Sequence, residues 1–205
     1  MQDVGSTSPH PNPLPEGEGA KDISRPVSAV VKEQRGLVIV HTGDGKGKTT
    51  AALGLAPRAV GNGMPVLMIQ FIKGKWKTGE REAAKAFGGL FEIHAMGEGF
   101  TWDTKDAERD KRKVREGWDF MTAKVAGGGY RMLILDEINC VLSYEYLPVD
   151  EVLRFLRERP HGLHVVLTGR NAPPALIETA DLVTEMLDIK HPFNNGLAAQ
   201  RGIEF

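Results

Sequence analysis

A chain of 205 residues holds one core-bearing domain with some length to spare, and 41% hydrophobic with 26% charged residues is ordinary for a soluble globular protein. A formal net charge of -1 gives no general pull toward nucleic acid or an anionic membrane surface, so neither is expected as a partner. No apolar run approaches the roughly 20 residues of a bilayer crossing, no secretory signal is expected, and the single cysteine, Cys140, excludes an internal disulfide and suits a reducing cytoplasm.

Residues 1–35 stand apart from the rest. Gly5–Gly19 carries four prolines, three glycines and one large aliphatic residue, too little apolar surface to offset the entropy of ordering, and reads as a disordered tail. Ala29–Arg35 reads as a short helix or an arm against the domain that begins at Gly36. From there, apolar runs rich in branched residues occur at Leu37–His41, Val66–Ile72, Phe91–Ala95, Met132–Leu135, Val165–Thr168 and Leu182–Met186. They are largely apolar on both faces, as strands covered by helices on both sides require. Helical segments fall between them at Thr49–Val60, Glu80–Phe87, Asp103–Ala126 and Val149–Arg157. In the longest, Ala107, Val114, Trp118, Met121 and Val125 recur at helical spacing. The alternation predicts a three-layer α/β domain over 36–205, with a mostly parallel sheet between two layers of helices and ligands at the C-terminal ends of the strands.

The first strand runs into Gly43-Asp44-Gly45-Lys46-Gly47-Lys48-Thr49-Thr50, and a helix begins at the lysine and threonines. Glycines let successive backbone N–H groups converge on phosphate oxygens without a Cβ in the way, and the helix N-terminus adds unpaired donors. Lys48 supplies a charge to the phosphates, and the Thr49 hydroxyl is placed to ligate Mg²⁺. The common spacing G-x-x-x-x-G-K-[ST] would put glycine at position 42, where this chain has Thr42, so the loop is a variant of the P-loop NTPase pattern. Met132–Leu135 is followed by Asp136 and Glu137. A strand-end acid beside a phosphate loop holds Mg²⁺ directly or through water, and if the strand continues the two carboxylates face opposite sides.

Four stretches resemble one family together: GDGKGKTTAALG (Gly43–Gly54), QFIKGKWKTGE (Gln70–Glu80), MGEGFTWDT (Met96–Thr104) and KHPFNNGLAAQRGIEF (Lys190–Phe205), with Leu135-Asp136-Glu137 between them. They resemble the P-loop class of ATP:corrinoid adenosyltransferases, over roughly Arg35 to Phe205. The resemblance implies that the corrinoid, such as a cobalamin, is reduced to Co(I) and that its cobalt takes the adenosyl group of ATP. Triphosphate leaves, and the nucleotide lies in the loop in the reverse of the usual sense. Residues of the loop from Gly43 to Thr50 would bind the nucleotide, with Lys48 on the leaving triphosphate and Thr49, Glu137 and Asp136 around Mg²⁺. Lys46 and Arg58 are either further charges on the triphosphate or solvated surface residues.

In the same resemblance, Phe100 and Trp102 close an apolar wall over the lower face of the corrin, which eases reduction of the cobalt. Two aromatics two apart lie on one face of an extended segment; without the resemblance they read as core anchors of a loop. The family further implies a homodimer in the cytoplasm and a reduced flavoprotein as electron donor. Trp76 reads as a lid or an exposed packing residue, Trp118 as core, and Cys140 as a small buried residue. Arg170 and His191 are undecided. The rival readings are an ordinary P-loop phosphotransferase or ATPase, which gives ADP, and a nucleotide-dependent binding module without turnover.

Overall fold

The computed structural model describes residues 35–72, 74, 78–97 and 106–204; the proline-rich tail, Trp76, Phe100 and Trp102 lie outside the described residues. The strands are β1 (Val38–Thr42), β2 (Val66–Gln70), β3 (Phe91–Ala95), β4 (Met132–Asp136), β5 (His164–Thr168) and β6 (Leu182–Glu185). They form one sheet in the order β3-β2-β4-β5-β1-β6, and every neighbouring pair is parallel. The helices are α1 (Lys48–Gly61), α2 (Gly79–Lys85), α3 (Ala107–Ala126), α4 (Ile138–Ser143), α5 (Val149–Glu158) and α6 (Pro174–Thr179), with a 3₁₀ turn at Pro192–Asn195. None of the described helices is long and apolar enough to cross a membrane.

The period of two along each strand sorts its side chains into two cores. Val38, Val40, Leu67, Ile69, Leu133, Leu135, Val165 and Leu167 pack with side chains of α3, α4, α5 and α6. Ile39, Val66, Met68, Met132, Ile134 and Val166 pack on the other face with Ala52, Ala56 and Ala59 of α1 and Ala84 of α2. The expected three-layer α/β arrangement follows from this division. On α3 four of the five residues of the predicted stripe face inward, with Trp118 2% exposed and Val114, Met121 and Val125 buried, while Ala107 at the start of the helix is exposed. That helix opens on Asp106, whose side chain accepts from Arg109 N, with Glu108 and Asp110 in its first turn and Lys124 in its last.

One expectation needs correction. β6 is not covered on both faces by described residues: all four of its residues are exposed, Leu182 at 45% and Val183 at 40%. It is the edge strand beside β1, so its apolar residues share the sequence pattern of a buried strand without the same burial.

Candidate active site

At the C-terminal edge of the sheet, β1, β2, β4 and β5 each end on a buried polar side chain: Thr42, Gln70, Asp136 and Thr168. Asp136 is fully buried, and a carboxylate there needs donors to offset the loss of water. It has them. Thr49 Oγ1 and Thr168 Oγ1 both donate to Oδ1, each at 2.8 Å, and Gln70 Nε2 donates to Oδ2 at 3.2 Å. β5 stands between β4 and β1, so Thr168 bridges the end of the intervening strand. The first turn of α1 is thereby tied to the acid at the end of β4. Because the Thr49 proton is committed to Asp136, the lone pairs of that hydroxyl are left for a cation.

The loop between β1 and α1 has φ 91° at Gly43 and φ 120° at Gly47, conformations suited to glycine. Its back wall is the chain that leaves β6: Gly45 N donates to Met186 O at 2.7 Å, and Met186 N donates to Thr42 O at 2.9 Å. No side chain caps α1 at Gly47. Lys48 is 8% exposed, and its ammonium donates to Gly43 O at 2.8 Å and Gly45 O at 2.6 Å, at the centre of the loop. Burial lowers its pKa, against the opposing pull of the Glu137 carboxylate. Both contacts are to carbonyl oxygens, so the ammonium keeps a third N–H and its charge for an anion at the loop.

Glu137 does not continue the strand. Its φ is 63°, in the left-handed region, and it heads α4, so the alternation expected for Asp136 and Glu137 ends at Asp136. Glu137 N donates to Thr168 Oγ1 at 3.0 Å. Its carboxylate accepts from Cys140 Sγ at 3.1 Å, and Arg170 N donates to that same sulfur at 3.3 Å. Burial, and then Glu137, push the Cys140 thiol up to about 12, which makes it a neutral hydrogen-bonding group rather than a nucleophile. Arg170, undecided from sequence, follows β5 and lies against the loop, with Nη2 3.4 Å from Asp44 O and Nε 3.7 Å from Asp44 Oδ1.

Residues 43–50 therefore lie with Asp136, Glu137 and Arg170 at one edge of the sheet. Asp44, Lys46 and Thr50 are exposed on the loop and first turn, and Lys46 pairs with Glu204 at 3.2 Å. Arg58 is not brought there. It lies exposed in the last turn of α1, about 15 Å along the helix from Lys48 at 1.5 Å per residue.

The described residues contain no cluster of three or more His, Cys, Asp or Glu side chains able to hold a metal ion. Mg²⁺ is commonly held by one or two carboxylates together with substrate phosphates and water. The all-oxygen set of Thr49, Asp136 and Glu137 fits that mode, with the phosphates and water completing the shell.

Residues 34–205 match the family described as ATP:corrinoid adenosyltransferase BtuR/CobO/CobP. The chain belongs to this family. It is 50% identical over 181 residues to a corrinoid adenosyltransferase of a Sinorhizobium species, covering 87% of this chain and 85% of that one. It is 45% identical over 177 residues to the corrinoid adenosyltransferases of Pseudomonas aeruginosa and Escherichia coli K12, covering 86% of this chain and 87% and 89% of theirs. Among solved structures, the flagellar accessory protein FlaH of Methanocaldococcus jannaschii gives a TM-score of 0.49 at 12% identity over 74% of this chain and 71% of that chain; at that distance it carries no argument. The protein is thus an enzyme, a corrinoid adenosyltransferase, and corrinoids are its substrates.

Sequence reasoning gave no role to Gln70, Thr168 or Asn139 in this adenosyltransferase. Asn139 is fully buried on α4, and its Nδ2 donates to His41 O at 3.3 Å and Gly169 O at 3.1 Å, tying β1 to the turn after β5. A signal for Thr168 was present, since it closes an apolar run as Asp136 follows one; Gln70 interrupts the run Val66–Ile72 as its one polar residue.

Proposed function

We propose that this enzyme transfers the 5′-deoxyadenosyl group of ATP to the Co(I) of a reduced corrinoid, giving adenosylcobalamin or a precursor of it and inorganic triphosphate. The electron pair of Co(I) forms the cobalt–carbon bond. The bond from C5′ to the phosphate oxygen breaks, and its electron pair leaves with the triphosphate. The observation that carries this reading is the junction of Lys48, Thr49 and Asp136: a buried ammonium in a glycine loop, beside a hydroxyl locked to a strand-end carboxylate. It stands in a chain whose family takes its description from ATP and corrinoid.

Displacement at a saturated carbon needs nucleophile and leaving group in line, so positioning supplies much of the rate. The loop N–H groups, apart from that of Gly45, which is held by Met186 O, act with Lys48 to hold the triphosphate and stabilise the charge it gathers, with Asp44, Lys46 and Thr50 at its margin. Thr49, Asp136 and Glu137 hold Mg²⁺, which supplies further charge neutralisation to the leaving group. No side-chain base is required, because the nucleophile carries its own electron pair. Phe100 and Trp102 are assigned to the apolar wall over the corrin's lower face. Residues 36–205 form the catalytic unit, acting as a homodimer in the cytoplasm with a reduced flavoprotein as donor.

The test is product analysis with MgATP and cob(I)alamin in excess reductant, followed by phosphorus NMR and absorbance. Triphosphate appearing in step with a light-sensitive alkylcobalamin is the expected outcome. ADP or phosphate without a cobalt–carbon bond would overturn the proposal in favour of an ordinary P-loop phosphotransferase or ATPase.

A further inference from the structure

Gln70 closes β2, pairs in register with Asp136 on β4, and is 1% exposed. Its Nε2 lies 3.2 Å from Asp136 Oδ2 and 3.4 Å from Glu80 Oε1 in the first turn of α2. With a carboxylate oxygen on each contact, that end of the amide must be the NH₂ group, since the oxygen would meet two like partial charges. Oε1 is therefore turned elsewhere, and it is buried without a hydrogen-bond partner among the described residues. Leaving that oxygen unpaired costs stability, and an apolar side chain of similar length would avoid the cost. What an apolar side chain cannot do is donate to Asp136.

Donors reach both oxygens of Asp136. Thr49 and Thr168 hold Oδ1, while the Gln70 amide donates to Oδ2. The two oxygens swing together about χ2, so a donor on Oδ2 adds a further restraint on the torsion that places Oδ1. We propose that Gln70 is a positioning residue of the adenosyltransferase site: by pinning Asp136 Oδ2 it keeps Oδ1 on the Thr49 hydroxyl, so that the lone pairs of Thr49 stay aimed at the nucleotide's Mg²⁺. Gln70 itself touches neither substrate. The inference rests on Thr49 and Asp136 forming the cation site of the proposed reaction.

The readout is cation coupling, not turnover. ATP is not consumed without reduced corrinoid in the proposed reaction, so its affinity is measured by titration calorimetry in EDTA and again in Mg²⁺. The ratio is the factor by which the cation tightens nucleotide binding. In Gln70→Met this factor falls about tenfold, as for other groups that orient a metal ligand, while affinity in EDTA is unchanged. Gln70→Leu gives the same result and replaces it should the methionine variant misfold. A wild-type factor in Gln70→Met, with the factor reduced in Thr49→Ala, overturns the proposal and leaves the cation site standing. An undiminished factor in both Thr49→Ala and Asp136→Asn removes the cation site itself, and this inference with it. Misfolding of both Gln70 variants overturns it as well, since the residue would then be holding the fold.

Discussion

His41 occupies the penultimate position of β1, 7% exposed, and neither ring nitrogen has a hydrogen-bond partner among the described residues. Burial lowers its pKa, so the ring is held in its neutral form. A neutral imidazole still has one donor and one acceptor, and each unpaired group costs free energy when buried. Its backbone oxygen, by contrast, accepts from Asn139 and is independent of the side chain. His41→Leu, of similar volume, is therefore expected to stabilise the fold by about 1 kcal/mol, measured as a higher urea midpoint at pH 7. A lower midpoint would mean that the ring is satisfied by buried water. At this scale Lys48 and Thr49 were legible from the spacing of the glycine loop, and Asp136 as an acid following an apolar run. The sequence did not reveal Gln70, Thr168 or Asn139. Their roles arise from pairing of β4 with β2 and β5 and from docking of α4, which no local spacing encodes.

At the scale of elements, the phosphate loop is shaped from behind. An ideal Cβ on Gly45 would lie 2.4 Å from Leu187 O and 2.8 Å from Met186 O, and one on Gly43 would lie 2.4 Å from Met186 O. Backbone atoms cannot turn aside as a side chain can, so Gly45→Ala pushes the loop off the segment after β6. The expected result is a loss of ATP affinity of tenfold or more and a destabilisation of about 1–3 kcal/mol. Gly54→Ala is the control, since Gly54 lies exposed on α1 with nothing within 4 Å of an added Cβ. It should gain up to about 1 kcal/mol from helix propensity. Normal ATP affinity in Gly45→Ala would show that the loop moves independently of its back wall. Six strands were legible as short runs apolar on both faces, and four helices as the segments between them, the longest with an apolar stripe at helical spacing. The short α4 and α6 were not, because six residues are too few to display a helical period. The glycine pattern was visible, but its reason was not: the atoms that exclude a Cβ come from the far end of the chain.

For the whole molecule, cross-links between elements set how stability responds to pH. Glu92 on β3 accepts from Lys124 at the end of α3, from Tyr130 and from His94, and the Lys124 hydrogen bond leads in lowering its pKa to about 2. Arg115 of α3 holds Glu151 of α5 below its usual range, and Arg35 does the same for Asp181 ahead of β6. Each carboxylate stays ionised in the folded chain at pH values where the unfolded chain takes up a proton. Their contribution is therefore present above the ordinary carboxylate range and is lost as pH falls through the folded values. His41 and His164 act earlier. Burial depresses both from 6.5, and His164 Nδ1 must stay unprotonated to accept from Leu37 N. The unfolded chain binds more protons there, so stability begins to fall as pH drops below about 6.5. On the alkaline side, the Glu92 hydrogen bond raises Lys124, and burial with Glu92 raises Tyr130. Unfolded Lys and Tyr lose protons first, so the same cluster weakens the fold above about pH 10. Urea unfolding from pH 3 to 11 should give a plateau between about 7 and 9, a decline below 6.5 that is reduced in His41→Leu, and a steeper one below 4.5 that is reduced in Glu92→Gln. Stability that instead rose between pH 6.5 and 4.5 would require a native group that gains its proton more readily than in the unfolded chain. Such a rise would overturn the neutral state assigned to His41 and His164.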